Sequence, residues 1–224
     1  MSMLSNLELI RRVPLFALLT ASQGELVADS VVKRRYKRGE VVVEQGQKTN
    51  TLYIILTGRV RVITSDKRGR EVILATLQPG DYIGEMSLID NQAHSATVRA
   101  EIQTDMLTLG RAEFARCLPE NSSMSYAIMR GLVQRLRQAD RKIESLALMD
   151  VYGRVARALL EFATPDREGL MTIRDRISRQ DIAKMVGASR EMVSRVMKDL
   201  EERGFIETRE DGSMVVKDRL TALG

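Results

Sequence analysis

The segment Ser178-Arg-Gln-Asp-Ile-Ala-Lys-Met-Val-Gly-Ala-Ser-Arg-Glu-Met-Val-Ser-Arg-Val-Met-Lys-Asp-Leu200 decides how the chain is read. Ser178, with Asp181 three residues on, starts a helix in the manner of a capping box, where a hydroxyl takes up a free amide of the first turn. Ile182, Ala183 and Val186 fall on one face of that helix. Gly187 makes the tight turn, because glycine enters the left-handed region without a Cβ clash. Ser189 caps a second helix whose inner face is Val193, Val196, Met197 and Leu200. Two short helices joined by a glycine turn predict a helix-turn-helix.

The outer face of the second helix carries Arg190, Glu191, Ser194, Arg195 and Lys198. Arginine can donate two hydrogen bonds to guanine N7 and O6, and glutamate can accept one from cytosine N4. Arg190, Glu191 and Ser194 lie at the N-terminal end of the helix, the end that usually reaches base edges. Such residues also occur on solvated helix faces, so the motif as a whole carries the reading. Beyond it, Gly204-Phe-Ile-Glu207, a turn at Asp211-Gly212 and Met214-Val-Val216 predict a hairpin wing.

Upstream, Asp150 is set to cap a helix over 151–162, after a hinge at Met149–Asp150. Thr164-Pro-Asp-Arg-Glu-Gly169 reads as a loop. The run Ser123 to Met149 contains no proline and one glycine, and predicts a long helix. Its Leu132, Leu136, Ala139, Ile143 and Leu146 fall at alternating spacings of 4 and 3, the seam of two helices lying side by side. A dimer is expected, the alternative being a helix packed only on its own β-domain. Before it, six β-prone runs, Val41–Val43, Leu52–Leu56, Val60–Ile63, Val72–Leu74, Ala96–Val98 and Met106–Leu109, are separated by turn glycines. That spacing predicts an all-β sandwich or barrel, with a hairpin tip at Asp66-Lys-Arg-Gly69. Residues 4–30 read as short helices broken at Pro14. The fold expected is α+β: residues 1–122 a jelly-roll-like sensory domain, 123–149 the dimerisation helix, 150–224 the winged helix-turn-helix.

Composition narrows the function classes. The chain has 224 residues and a net charge of +5. From Asp150 onward there are fourteen basic and fourteen acidic residues, so the surplus lies upstream, in Lys33-Arg-Arg-Tyr-Lys-Arg38 and between Arg130 and Lys142. Net charge therefore does not mark the DNA-binding end. One cysteine, Cys117, read as a small buried hydrophobe, and one histidine, His94, leave no ordinary zinc site. No Ser/His/Asp ordering and no phosphate-binding glycine loop point to an enzyme. A single cysteine argues against an iron–sulfur sensor, and His94 would be the only histidine ligand for haem. No apolar run is long enough to span a membrane, and a cytoplasmic protein is expected.

Over nearly its full length the chain resembles the CRP/FNR family of bacterial transcription regulators. The resemblance rests on Val186-Gly-Ala-Ser-Arg-Glu-Met-Val-Ser-Arg195 and on Leu146-Ala-Leu-Met-Asp-Val-Tyr-Gly-Arg-Val155. It implies an N-terminal β-roll that binds a cyclic nucleotide, a homodimer on a palindromic double-stranded DNA operator with GTGA-like half-sites, and RNA polymerase as a further partner. It implies that Arg190, Glu191 and Arg195 read bases, helped by Ser189 and Ser194, while Ser178, Arg179 and Gln180 touch phosphates. Met192 stands where the cyclic-AMP-responsive branch often has threonine.

The same resemblance places a ligand against Gly84 and Glu85, within Gly80-Asp-Tyr-Ile-Gly-Glu-Met-Ser87, and against His94 and Ser95, within Gln92-Ala-His-Ser-Ala-Thr-Val-Arg-Ala100. His94 stands where cyclic-AMP receptors have a phosphate-binding arginine. Arginine is permanently charged and grips phosphate with two bonds, whereas histidine is only partly protonated near neutral pH. The adenine-contacting Thr-Ser pair of that branch becomes Ala139-Asp140. A carboxylate only accepts hydrogen bonds. It suits the N1–H and N2–H of guanine better than the edge of adenine. Arg137-Gln-Ala-Asp140 also has the Arg-x-x-Asp form of cyclic di-GMP sites, though surface ion pairs on helices give the same pattern. The effector expected is a guanine nucleotide, cyclic di-GMP ahead of cyclic AMP. The alternatives are a regulator that binds DNA without a ligand and a cyclic-AMP-dependent one with a variant phosphate site.

Overall fold

The computed structural model describes residues 5–11, 13–16, 19–117, 122–166, 169–209, 211–217 and 220. The Cys117 side chain lies outside what is described. The chain divides into two compact units, 1–136 and 137–224.

The first unit opens with α1 (Asn6–Arg11), a single 3-10 turn at Pro14–Phe16 and α2 (Ala21–Ser30), the last started by a full capping box at Thr20 and Gln23. Eight strands follow: β1 (Val32–Tyr36), β2 (Val41–Val43), β3 (Thr51–Thr57), β4 (Val60–Ser65), β5 (Glu71–Leu77), β6 (Tyr82–Ile83), β7 (Thr97–Ala100) and β8 (Thr104–Gly110), with α3 (Glu85–Asp90) between β6 and β7. They make two antiparallel four-stranded sheets, ordered β1-β8-β3-β6 and β2-β7-β4-β5. The hairpin tip at Asp66–Gly69 is as read: the Asp66 carboxylate accepts from the Arg68 and Arg70 amides, and Gly69 takes φ +76°.

Strand β3 shows why its run is apolar throughout. Leu52 and Ile54 join a core with Ile10, Phe16, Val27 and Phe114 on the helical side, while Tyr53 and Ile55 join one with Val43, Val60, Val98 and Met106 between the sheets. A sheet covered on both faces has no polar alternation to show. Strand β1 is the opposite case. It is an edge strand, exposed at Val32, Lys33, Arg34 and Arg35, and its basic residues hide it from a search for apolar runs. Charges of this kind blunt an open sheet edge, and Asp105 of β8 accepts from Arg35 at 2.7 Å and pairs with Lys33 at 3.5 Å.

α4 (Arg111–Cys117) leads to α5 (Ser122–Leu148), 27 residues long. Ile128 is buried in the helical-side core and Leu132 packs against it. Among the described residues, the exposed large apolar residues of α5 are Tyr126, Met129, Val133, Leu136, Ile143, Leu146 and Leu148. The expected seam is exposed at Leu136, Ala139, Ile143 and Leu146; at Leu132 it instead turns onto its own domain.

In the second unit Asp150 caps α6 (Val151–Phe162), its carboxylate accepting from the Gly153 amide at 2.8 Å. The expected loop 164–169 opens on a strand instead: β9 (Thr164–Pro165) pairs with β10 (Met171–Ile173), which begins two residues beyond Gly169. Then come α7 (Arg179–Val186), α8 (Arg190–Glu202), β11 (Ile206–Thr208) and β12 (Met214–Val216). The wing extends into a four-stranded sheet, β11-β12-β10-β9. Leu159, Ile182, Val193, Met197, Leu200 and Ile206 share one core.

Candidate functional site

On the β-roll, the Gly80–Ser87 segment becomes β6, a left-handed turn and α3. Gly84 is at φ +94°, and a Cβ there would sit 2.4 Å from the Thr51 carbonyl oxygen, so glycine is required. The turn delivers Glu85 into the interior, where it is 1% exposed. Burial raises its pKa, since a desolvated carboxylate resists ionisation, and the facing Arg135 pulls it back down. The Arg135 guanidinium donates to Glu85 Oε1 at 2.5 Å and to the Tyr82 carbonyl oxygen, and stacks over the Tyr82 ring. The Tyr82 hydroxyl donates to the Ile128 carbonyl, and a Cβ at Gly131 would collide with that hydroxyl. The lone glycine of the long helix thus lets α5 lie against Tyr82.

Arg135 is a site residue that the sequence patterns above do not single out. Its signal was present: Ile128, Gly131 and Arg135 follow one another at helical spacings of three and four.

His94 is buried, at 7% exposure. Its Nδ1 lies 3.1 Å from Ser87 Oγ and its Nε2 lies 2.9 Å from Thr49 Oγ1, so both ring nitrogens are engaged. Its backbone is held too, by His94 N–H to Gln47 O and by Gly46 N–H to His94 O. Burial lowers its pKa by penalising the charged ring. The ring is a neutral bridge between α3 and the segment before β3. Ser95 beside it is exposed. Gly84, Glu85 and His94 are thus gathered around α3, through Ser87. Arg137 and Asp140 lie in the second unit, both exposed and three residues apart on α5.

In the second unit Ser178 accepts from the Asp181 amide at 3.0 Å and Ser189 from the Met192 amide at 3.1 Å, so both helices start where the sequence placed them. Gly187 is at φ +65°. Val193, Val196, Met197 and Leu200 are buried, and Arg190, Glu191, Ser194 and Arg195 are exposed around one shallow depression. The backbone amide at the helix start, the Ser189 hydroxyl and the arginines Arg190 and Arg195 hold the Glu191 carboxyl below its usual range, in that order. It is therefore an acceptor at neutral pH. The Ser194 hydroxyl donates back to the Arg190 carbonyl at 2.8 Å, leaving it lone pairs to offer, and Lys198 pairs with Glu202 at 3.5 Å. Gln180 is exposed and Arg179 half-buried at the start of α7.

Among the described residues no helix is long and apolar enough to cross a membrane, and no cluster of His, Cys, Asp and Glu suits a metal.

Comparison with known proteins agrees with both halves. Residues 33–121 match the cyclic nucleotide-binding domain and residues 153–221 the Crp-like helix-turn-helix domain. The chain is 37% identical over 186 residues to the cAMP-activated global transcriptional regulator Vfr of Pseudomonas aeruginosa, covering 79% of this chain and 86% of that one. It is 36% identical over 178 residues to the cAMP-activated global transcriptional regulator CRP of Escherichia coli O157:H7, covering 77% and 83%. Among solved structures, the c-di-GMP responsive global regulator CLP of Xanthomonas campestris superposes with a TM-score of 0.75 at 29% identity, covering 88% of this chain and 98% of that one.

Proposed function

The chain belongs to the CRP/FNR family, as a DNA-binding transcription regulator with a cyclic nucleotide-binding domain, and we propose that it is a homodimer whose effector is a guanine nucleotide, cyclic di-GMP ahead of cyclic AMP. The observation that carries the effector reading is the state of His94. The residue standing where cyclic-AMP receptors have an arginine is buried and bonded through both ring nitrogens, and burial lowers its pKa. The charged form that would attract a phosphate is thereby penalised. A neutral imidazole cannot replace the bidentate grip of a guanidinium.

Asp140 supplies the second support. Along α5 the exposed residues Val133, Leu136, Asp140 and Ile143 repeat at spacings of 3, 4 and 3, which sets Asp140 in the apolar stripe. Association of two copies along that stripe would remove Asp140 from water, and a carboxylate so placed needs hydrogen-bond donors. The N1–H and N2–H of guanine are such donors, and Arg137 one turn away is another. Gly84, Glu85 and Ser95 would meet the sugar-phosphate part of the ligand. The cyclic-AMP alternative is favoured by the relatives Vfr and CRP, which are cAMP-activated regulators.

On DNA, Arg190, Glu191 and Arg195 would read GTGA-like half-sites of a palindrome, with Ser189 and Ser194 beside them. Ser178, Arg179 and Gln180 would hold phosphates, where the N-terminus of α7 favours anions. The effector would shift an existing equilibrium between two placements of the paired recognition helices, one of them spaced by a DNA turn, and RNA polymerase would be met on the promoter.

Parallel calorimetric titrations of the protein and of Asp140→Ala with cyclic AMP, cyclic GMP and cyclic di-GMP test the effector reading. Selective binding of a guanine nucleotide, lost in the variant, is expected. Selective binding of cyclic AMP would overturn it, and no binding of any would leave a ligand-independent regulator.

A further inference from the structure

The C-terminal end of the recognition helix carries a polar cluster that base reading does not use. Tyr152, in the first turn of α6 and two residues after the Asp150 cap, donates from its hydroxyl to Asp199 Oδ2 at 2.8 Å. Asp199 lies in α8, nine residues beyond Arg190, and pairs with Arg203 at 3.6 Å. Arg203 also stacks over the Phe205 ring that leads into the wing. One phenol thereby joins the start of α6 to the far end of α8 and to the chain entering β11.

Apolar packing also holds α6 to α8, through Val155 and Leu159 against Val193, Met197 and Leu200. Apolar contacts are non-directional and tolerate small rotations, whereas a hydrogen bond is lost once its angle and distance drift. We propose that Tyr152 is a positioning residue: through Asp199 and Arg203 it fixes the rotation of α8 relative to the hinge end of α6. The reading end of α8 is about 14 Å from Asp199 along the helix axis, at 1.5 Å per residue. A small tilt at the clamp therefore becomes a larger displacement at Arg190 and Glu191. The inference rests on α8 being the base-reading helix, and goes beyond that reading in naming what aims it.

The test uses the full-length protein. Tyr152→Phe keeps the ring and removes the hydroxyl, and Asp199→Asn removes the charged acceptor. Each variant and the double variant are titrated with a GTGA-palindrome duplex and with a scrambled duplex of the same length, without nucleotide and with cyclic di-GMP or cyclic AMP. Thermal unfolding is followed alongside. Arg190→Ala is the control in the same assay. The specific-to-scrambled affinity ratio is expected to fall about fivefold in either single variant and no further in the double, with scrambled-duplex affinity unchanged. An unchanged ratio overturns the proposal, as do additive single effects. So does a loss confined to the unfolding temperature, which would make the cluster a structural pin only. If Arg190→Ala also leaves the ratio unchanged, it is the assignment of α8 as reader that has failed.

Discussion

The two halves of the molecule treat charge in opposite ways. Around α3 the polar groups are buried and already spoken for: Glu85 by Arg135, His94 by Ser87 and Thr49. On α8 Arg190, Glu191 and Arg195 stand in solvent, while the residues behind them are buried. A pocket for a small ligand must be desolvated and preorganised, and its charges need partners before the ligand arrives. A DNA-reading face meets a large, hydrated, highly charged partner, so its side chains stay solvated until binding. Changes at the first site should therefore register as stability, and changes at the second as affinity and discrimination.

The largest effect is expected from Arg135→Ala. It leaves Glu85 buried without its counter-charge, a loss that costs about 3 kcal/mol, the lower end for such pairs because the arginine is partly exposed. Burial has already raised the Glu85 pKa, so removing Arg135 raises it further. The deficit should be full where Glu85 is ionised and should shrink as pH falls and the folded protein takes up the proton. Denaturant unfolding at pH 7.5 and pH 5 measures this, and adding Glu85→Gln should recover most of the loss. If Arg135→Ala were neutral in stability, the contrast between the halves would break.

Arg190→Ala is expected to weaken specific DNA binding by about 1–3 kcal/mol and to relax the preference at one base pair, with the unfolding midpoint unchanged. Titration against a set of single-base operator variants checks it. Equal loss on every sequence would mean that Arg190 only touches phosphate.

The smallest effect concerns His94. Its folded-state pKa is lowered by burial, so the unfolded chain binds the proton first. Its contribution to stability is present above the ordinary histidine range and is lost as pH falls through the lowered value. Thermal unfolding between pH 7.5 and 5.5 should show a modest fall that is flatter in His94→Gln. A steeper fall in that variant would show that His94 is not the neutral bridge.

Much of the DNA-reading half was legible in the sequence. Ser178, Gly187 and Ser189 carry their instructions within a few residues, because caps and left-handed turns are local events. The same holds for Asp150 and for the Asp66–Gly69 tip. Strand β1 was not legible, since its basic residues give no apolar signal and its pairing partner lies some seventy residues away at Thr104–Thr108. Nor was the β9–β10 pairing, whose two short strands gain their meaning from β12.

Local residue patterns were enough to specify a helix-turn-helix with a wing, a glycine-punctuated β-domain before it, and a long helix with an apolar stripe. Those conclusions follow from periodicity and from residues with narrow backbone preferences. The tertiary structure alone decided that Leu132 faces its own domain rather than the stripe, that Arg135 and not its neighbour meets Glu85, and that His94 is a neutral bridge. Each of these depends on what burial brings next to a side chain, and burial sets both the cost of a charge and the partner that offsets it.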